Sequence, residues 1–266
     1  MDNRPIGIFD SGLGGLTCIG PIAKALPGER ILYFGDTART PYGSKSRETV
    51  CEFALQIADF LVKNDVKMLA IACNTISATA LPLLQESYPE IPVVGIIEPA
   101  ASEVARRCTE ANSIGIIGTK VTVKTRAYER AIHRIDPKLK VYQSACPAFV
   151  PLIEEGIIES DIMDSLIRYY LDDFVAYHRL DTLVLGCTHY PLIKENISRI
   201  YPQLTIINPS DCQAGAVEKA LRENDLLADA TAKESTFFAS DLSENFIHMV
   251  DRIITENEYN IAIRKF

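Results

Sequence analysis

MLAIACNT, residues 68–75, and TLVLGCTH, residues 182–189, decide the fold between them. Each opens with a short, mostly apolar run that reads as a buried strand and leads straight into a cysteine followed by amide, hydroxyl or imidazole side chains. Two further pairs recur around them in the same order. IGIFDSG (6–12) is matched by IGIIGTK (114–120), and GIIEP (95–99) by TIINP (205–209). Three matches in register point to two related halves, since a solenoid needs several shorter repeats.

Working outward, short apolar runs alternate with helix-length amphipathic segments, the pattern of parallel α/β units. Strands are expected at 6–9, 31–34, 68–72, 93–97, 114–117, 141–143, 182–186 and 205–207. Helices are expected over 48–63 and 161–177. The fold class is therefore α/β, with mostly parallel sheets in two pseudo-symmetric halves. Glu98-Pro99 and Asn208-Pro209 mark the crossings between them. Open α/β sheets bind ligands beyond the carboxyl ends of their strands, and FDSGLGG, GDTARTPYG, CNT and CTH all fall there.

Composition narrows the class. The 266 residues are 47% hydrophobic, enough for a sizeable core. No apolar run approaches the roughly 18 residues that span a bilayer, and no charged-then-apolar leader precedes RPIGIFD, so a cytoplasmic protein without membrane attachment is expected. A net charge of -8 without clustered Lys and Arg argues against nucleic acid as partner, and leaves any anionic ligand to be held by local donors. Seven cysteines with no C-x-x-C pair fit reduced thiols better than a disulfide framework.

Cys73 and Cys187 stand where a strand gives way to a helix, a place where backbone N–H groups and the helix dipole favour a thiolate. A buried cysteine is ordinarily an apolar filler, and that reading suits Cys18, Cys51, Cys108, Cys146 and Cys212. Metal binding by Cys187, His189 and Cys73 is the competitor. It is disfavoured because zinc sites need three or four ligands, and His133, His178 and His248 read as helix-surface residues. DSGLGG (10–15) lacks the lysine of a P-loop and the full G-x-G-x-x-G; a tight turn accounts for its glycines but not for Asp10 and Ser11. Capping explains Asn74, Thr75 and Thr188 singly, whereas their duplication beside two thiols suggests a carboxylate cradle. PYG (41–43) reads equally as a turn. For Asp36 and Glu154 plain surface solvation is the alternative to a role at the site.

At these residues the chain resembles the glutamate racemases of the cofactor-independent aspartate/glutamate racemase family. The matching pieces are FDSG (9–12), GDTARTPYG (35–43), ACNT (72–75), CPAFVPLIE (146–154) and GCTHYPLI (186–193), in the family's order over most of the chain. The resemblance implies two α/β domains, 1–97 plus 208–266 and 98–207, with the active site in the cleft between them. It makes Cys73 and Cys187 the acid/base pair, Cys73 serving the D-enantiomer and Cys187 the L-enantiomer. Substrate contacts are implied at Asp10, Ser11, Tyr42, Gly43, Asn74, Thr75, Thr188 and His189. Asp36 and Glu154 are implied as supporting groups, and Thr119 joins them as the repeat partner of Ser11. Ile76 departs from the family's small residue at that position. No cofactor or metal is implied; a homodimer and a role in supplying D-glutamate for peptidoglycan are.

Two opposed thiols suit the inversion of a stereocentre, because the proton must leave one face and arrive on the other. Two other functions keep much of this pattern: a racemase of aspartate or another acid, and a two-domain amino-acid binding or sensor protein, which has no use for paired thiols.

Overall fold

The computed structural model describes residues 1–229, 234–253 and 259–266. Among the described residues ten strands form two sheets, every pairing parallel. The strands are β1 (Ile6–Asp10), β2 (Ile31–Gly35), β3 (Met68–Ile71), β4 (Val93–Gly95), β5 (Ser113–Gly118), β6 (Lys140–Ala145), β7 (Thr182–Gly186), β8 (Thr205–Ile207), β9 (Ser235–Ala239) and β10 (Tyr259–Ile263). One sheet has the order β10-β9-β2-β1-β3-β4, the other β6-β5-β7-β8. Four strands of the first, β2-β1-β3-β4, thus repeat in the second as β6-β5-β7-β8. The register repeats too: Ile6 lies opposite Met68, and its counterpart Ile114 lies opposite Thr182. The α/β reading with two related halves is borne out.

Helices α1 (Ile19–Ala25), α2 (Arg47–Lys63), α3 (Asn74–Ser87), α4 (Ile97–Arg107), α5 (Lys120–Thr125), α6 (Ala127–Ile135), α7 (Phe149–Glu154), α8 (Asp161–His178), α9 (Lys194–Ile200), α10 (Pro209–Glu223) and α11 (Glu244–Ile253) cover the sheets. The strand residues of β1, β2, β3 and β7 are buried throughout, as strands covered on both faces must be. Ser46 caps α2 by accepting from the Thr49 N–H, and Ser160 caps α8 in the same way through Met163.

The run expected as a strand over 93–97 ends at Gly95. Ile96 caps α4, whose first turn holds Glu98 and Pro99, and a proline so near a helix start costs no internal hydrogen bond. Asn208 likewise caps α10, with Pro209 as its first residue. These two helices carry the chain from the first sheet to the second and back, and pack against each other. Strands β9 and β10, which the sequence reading did not contain, extend the first sheet beyond β2. At the opposite end of the strands from the conspicuous loops, Lys67 is fully buried, 2.5 Å from Glu29 and donating to the carbonyls of Asp2 and Leu226 at 2.7 Å.

Among the described residues, no helix is long and apolar enough to cross a membrane.

Candidate active site

The carboxyl ends of β1, β3 and β7 converge on one small cavity of about 20 Å³. Its wall combines Ser11 after β1, the 40–43 segment after β2, Cys73, Asn74 and Thr75 after β3, and Cys187, Thr188 and His189 after β7. Thr119 and Val150 complete it. Both cysteines therefore face the same space, one from each sheet, and both are nearly fully buried.

Their surroundings differ. Cys73 is the cap residue of α3, so Asn74 and Thr75 occupy the first turn with its unpaired N–H groups. Its Sγ donates to Ser11 Oγ at 3.5 Å. Burial pushes the Cys73 thiol well up and the nearby Asp10 charge adds to this, against bonds from Ser11 and the Ile76 backbone. The helix dipole expected to favour a thiolate here is thus outweighed by desolvation. Cys187 does not cap an α-helix at all. It leads through Thr188 and His189 into a short 3₁₀ turn, Tyr190–Ile193, before α9 begins at Lys194. Its polar neighbour is instead His189, with Nδ1 3.9 Å from the sulfur and Nε2 2.9 Å from Glu154 Oε1.

Burial works against a charged His189, yet its bonds to Cys187 and Glu154 prevail and raise its pKa to about 10. Because this folded value lies above the ordinary 6.5, the stability it contributes is complete below that pH. It is lost as the pH climbs toward about 10. Unfolding free energies of wild type and His189→Asn, compared across this range, should therefore differ by a gap that narrows with rising pH. A gap independent of pH would contradict the imidazolium.

Asp10 is wholly buried behind the cavity wall: Thr188 Oγ1 donates to its Oδ2 at 3.1 Å and the Gly12 N–H to its Oδ1 at 2.9 Å. Burial raises its pKa in spite of the His189 charge and these bonds. The glycines of DSGLGG permit close packing. A Cβ on Gly14 would lie 2.4 Å from His189 Nδ1 and 2.7 Å from Thr188 Oγ1, and one on Gly15 would lie 2.2 Å from Asp10 Cβ. The turn presses against the site residues and is not a phosphate cradle.

Asp36, for which surface solvation was an alternative, is completely buried. It binds Arg39 Nε at 2.6 Å, Ser240 Oγ at 2.7 Å and the hydroxyl of Tyr42, so it fixes the loop that carries Tyr42 and Gly43 without lining the cavity itself. Glu154, at the end of α7, is three-quarters buried and acts behind His189. Gly43 abuts Thr119, where a Cβ would come within 2.5 Å. Thr119 Oγ1 also lies 3.0 Å from Thr75 Oγ1, so the two halves meet directly beside the cavity.

The sequence reading missed Thr40, Pro41 and Val150, which line the cavity from within segments it quoted. It also missed Tyr128, whose ring comes from α6 and for which no local pattern gives a sign. The other five cysteines lie outside the cavity wall; Cys18, bonded to Ser210, is pushed up to about 12 by burial. Of the remaining histidines, His248 is exposed while His133 and His178 are half-buried. Among the described residues no three His, Cys, Asp or Glu groups are placed to hold a metal. A larger cleft of about 670 Å³ between α3, α4 and α6 contains neither thiol.

Residues 16–217 match the Asp/Glu/Hydantoin racemase family. The glutamate racemase of Geobacter metallireducens is 46% identical over 256 residues, covering 96% of this chain and 94% of that one. That of Sulfurihydrogenibium is 43% identical, covering 89% of each. Among solved structures, the Francisella tularensis glutamate racemase in complex with D-glutamate superposes with a TM-score of 0.92 at 39% identity, over 100% of this chain and 98% of that one. The Thermus thermophilus glutamate racemase in complex with β-chloro-D-alanine gives 0.86 at 38% identity, over 100% and 99%. A likeness that runs over nearly the whole chain makes it an isomerase of the Asp/Glu/Hydantoin racemase family.

Proposed function

We propose that this protein racemises glutamate by passing a proton through two cysteine thiols, with no cofactor. The observation that carries the reading is that Cys73 and Cys187, at equivalent strand ends of two related sheets, line one cavity. Cys73 serves the D-enantiomer and Cys187 the L-enantiomer. One sulfur must be a thiolate while the other is a thiol, so the pair titrates as a coupled unit. His189, a cation backed by Glu154, is the charged neighbour of Cys187. Desolvation and Asp10 favour the protonated form at Cys73, leaving it ready to deliver.

The α-proton is far less acidic than a thiol, so charge growing on the substrate carboxylate must be met by fixed donors. Thr75, Thr188, Ser11 and the 42–43 backbone supply these, Asp10 orients Thr188, and Asn74 binds the substrate in ground state and transition state alike. A cavity of about 20 Å³ holds little more than one water molecule. Glutamate is therefore admitted when the two halves part, and their closure excludes solvent. Residues 1–97 with 208–266 form one of these bodies and 98–207 the other, a division supported by the segregation of the sheets and by α4 and α10 lying side by side at the crossings. The enzyme works in the cytoplasm as a homodimer, supplying D-glutamate for peptidoglycan. Ile162, Tyr169 and Tyr177, left exposed along one stripe of α8, support a self-association surface.

The test is a chiral assay of purified protein without added cofactor. L- and D-glutamate are expected to interconvert, and aspartate, one methylene shorter, to react roughly 10- to 100-fold more slowly. Absence of turnover would reduce the protein to an amino-acid binder; faster turnover of aspartate would reassign the substrate.

A further inference from the structure

Asn74 lines the cavity and is almost completely buried, yet its Nδ2 has no protein partner. A buried amide donor left unpaired is costly unless something in the cavity accepts from it. Its other end is held firmly. The hydroxyl of Tyr128, a fully buried side chain on α6, donates to Asn74 Oδ1 at 2.6 Å. An amide can present either its oxygen or its nitrogen; with Oδ1 held toward the buried phenol proton, the NH₂ group is the end left free for a ligand in the cavity.

Tyr128 also touches the other cysteine motif. Its ring packs against Gly186, the residue before Cys187, where a Cβ would lie 3.1 Å from Tyr128 Cε2. One side chain from the second half therefore rests on the strand end that leads to Cys187. It also binds the residue that follows Cys73 in the first half. Burial pushes the Tyr128 phenol far above its ordinary range, which keeps the donor proton on the oxygen.

We propose that Tyr128 is a positioning residue that locks the Asn74 amide with its N–H donors aimed at a carboxylate of the bound substrate. This rests on the cavity being the glutamate site, and the wild-type assay run alongside separates the two ideas: an inactive wild type sinks the function, whereas the variants below judge Tyr128. In Tyr128→Phe the freed amide can rotate and offer its oxygen, which repels a carboxylate. The interaction lost is made in ground state and transition state alike, so the change falls in KM.

The expected result for Tyr128→Phe is a KM for glutamate raised about tenfold with kcat within about twofold, since hydrogen bonds to charged groups carry effects of this size. In an Asn74→Ala background the same substitution should add less than about twofold, because the group it positions is gone. A role confined to packing would lower Tm while leaving KM unmoved, and would be additive with Asn74→Ala. Either an unchanged KM or equal losses in both backgrounds overturns the proposal. Should Tyr128→Phe fail to fold, Asn74→Asp retains the acceptor for Tyr128 while removing the donor. A wild-type KM in that variant would equally overturn it.

Discussion

Replacing Cys73 or Cys187 by alanine is expected to lower glutamate racemisation by roughly 10⁴-fold, the upper range for a positioned acid or base. Both directions must suffer equally. The enantiomers have the same free energy, so the equilibrium constant is one and no substitution can spare kcat/KM in one direction alone. Exchange of the α-proton is not bound by this symmetry. With Cys187 gone, Cys73 can still remove and return the proton of the enantiomer it faces. Cys187→Ala should therefore wash solvent deuterium into D-glutamate without producing L-glutamate, and Cys73→Ala should do the reverse. Each change deletes one buried sulfur from a tightly packed wall, a small loss beside typical core truncations. Unfolding transitions close to wild type would separate lost chemistry from lost structure. Near-normal turnover in either variant would rule out the two-thiol scheme.

Gly14→Ala is expected to reduce kcat/KM by about 10²-fold although Gly14 makes no chemical contribution. A methyl group there would stand 2.4 Å from His189 Nδ1 and 2.7 Å from Thr188 Oγ1, inside any tolerable contact distance. The imidazole and the hydroxyl must give way, and a displacement near 1 Å of groups around a reacting centre costs about this much. Moving His189 also lengthens its bonds to Cys187 and Glu154, the interactions that raise its pKa to about 10. The pKa of His189 should thus fall toward its ordinary value, an effect that NMR titration of the imidazole would show. A fully active Gly14→Ala enzyme with an unshifted histidine would mean that the turn can yield without disturbing the site.

The strand ends were legible because they carry two signals at once. Runs such as those of β1, β3 and β7 are apolar throughout and stop at a polar cluster, and the same sequence of events occurs twice in the chain. That repetition foretold two related halves, and the sheets show it in their pairing, with Ile6 against Met68 and Ile114 against Thr182. Strand β9 gave no such sign. Its five residues, STFFA, are buried alternately, and its place beside β2 depends on a partner far away in sequence. The proline rule could have corrected the run at 93–97, since Pro99 fits the first turn of α4 better than a strand end.

Within the site, residues adjacent to a motif were found, Asp36 and Glu154 were named as supporting groups through the resemblance alone, and Tyr128 was not named. Asp36 reads as a surface carboxylate until Arg39, Tyr42 and Ser240 close around it, the last from 204 positions away. Glu154 gains its meaning only from contact with His189, and Tyr128 only from Asn74. The twin occurrence of cysteine at strand ends suggested equivalent electrostatics, but the structure gives one thiol a helix start and a carboxylate and the other a histidine ring backed by Glu154. That asymmetry arises in tertiary packing, where a local pattern holds no information.

The first turnovers of L-glutamate in deuterium oxide examine the two-thiol claim most directly. If one sulfur takes the proton and the other delivers its own, already exchanged with solvent, every molecule of D-glutamate first formed carries deuterium at Cα while the remaining L-glutamate keeps its proton. Early D-glutamate that retains the substrate's own proton would show a single group working on both faces, and would contradict the account.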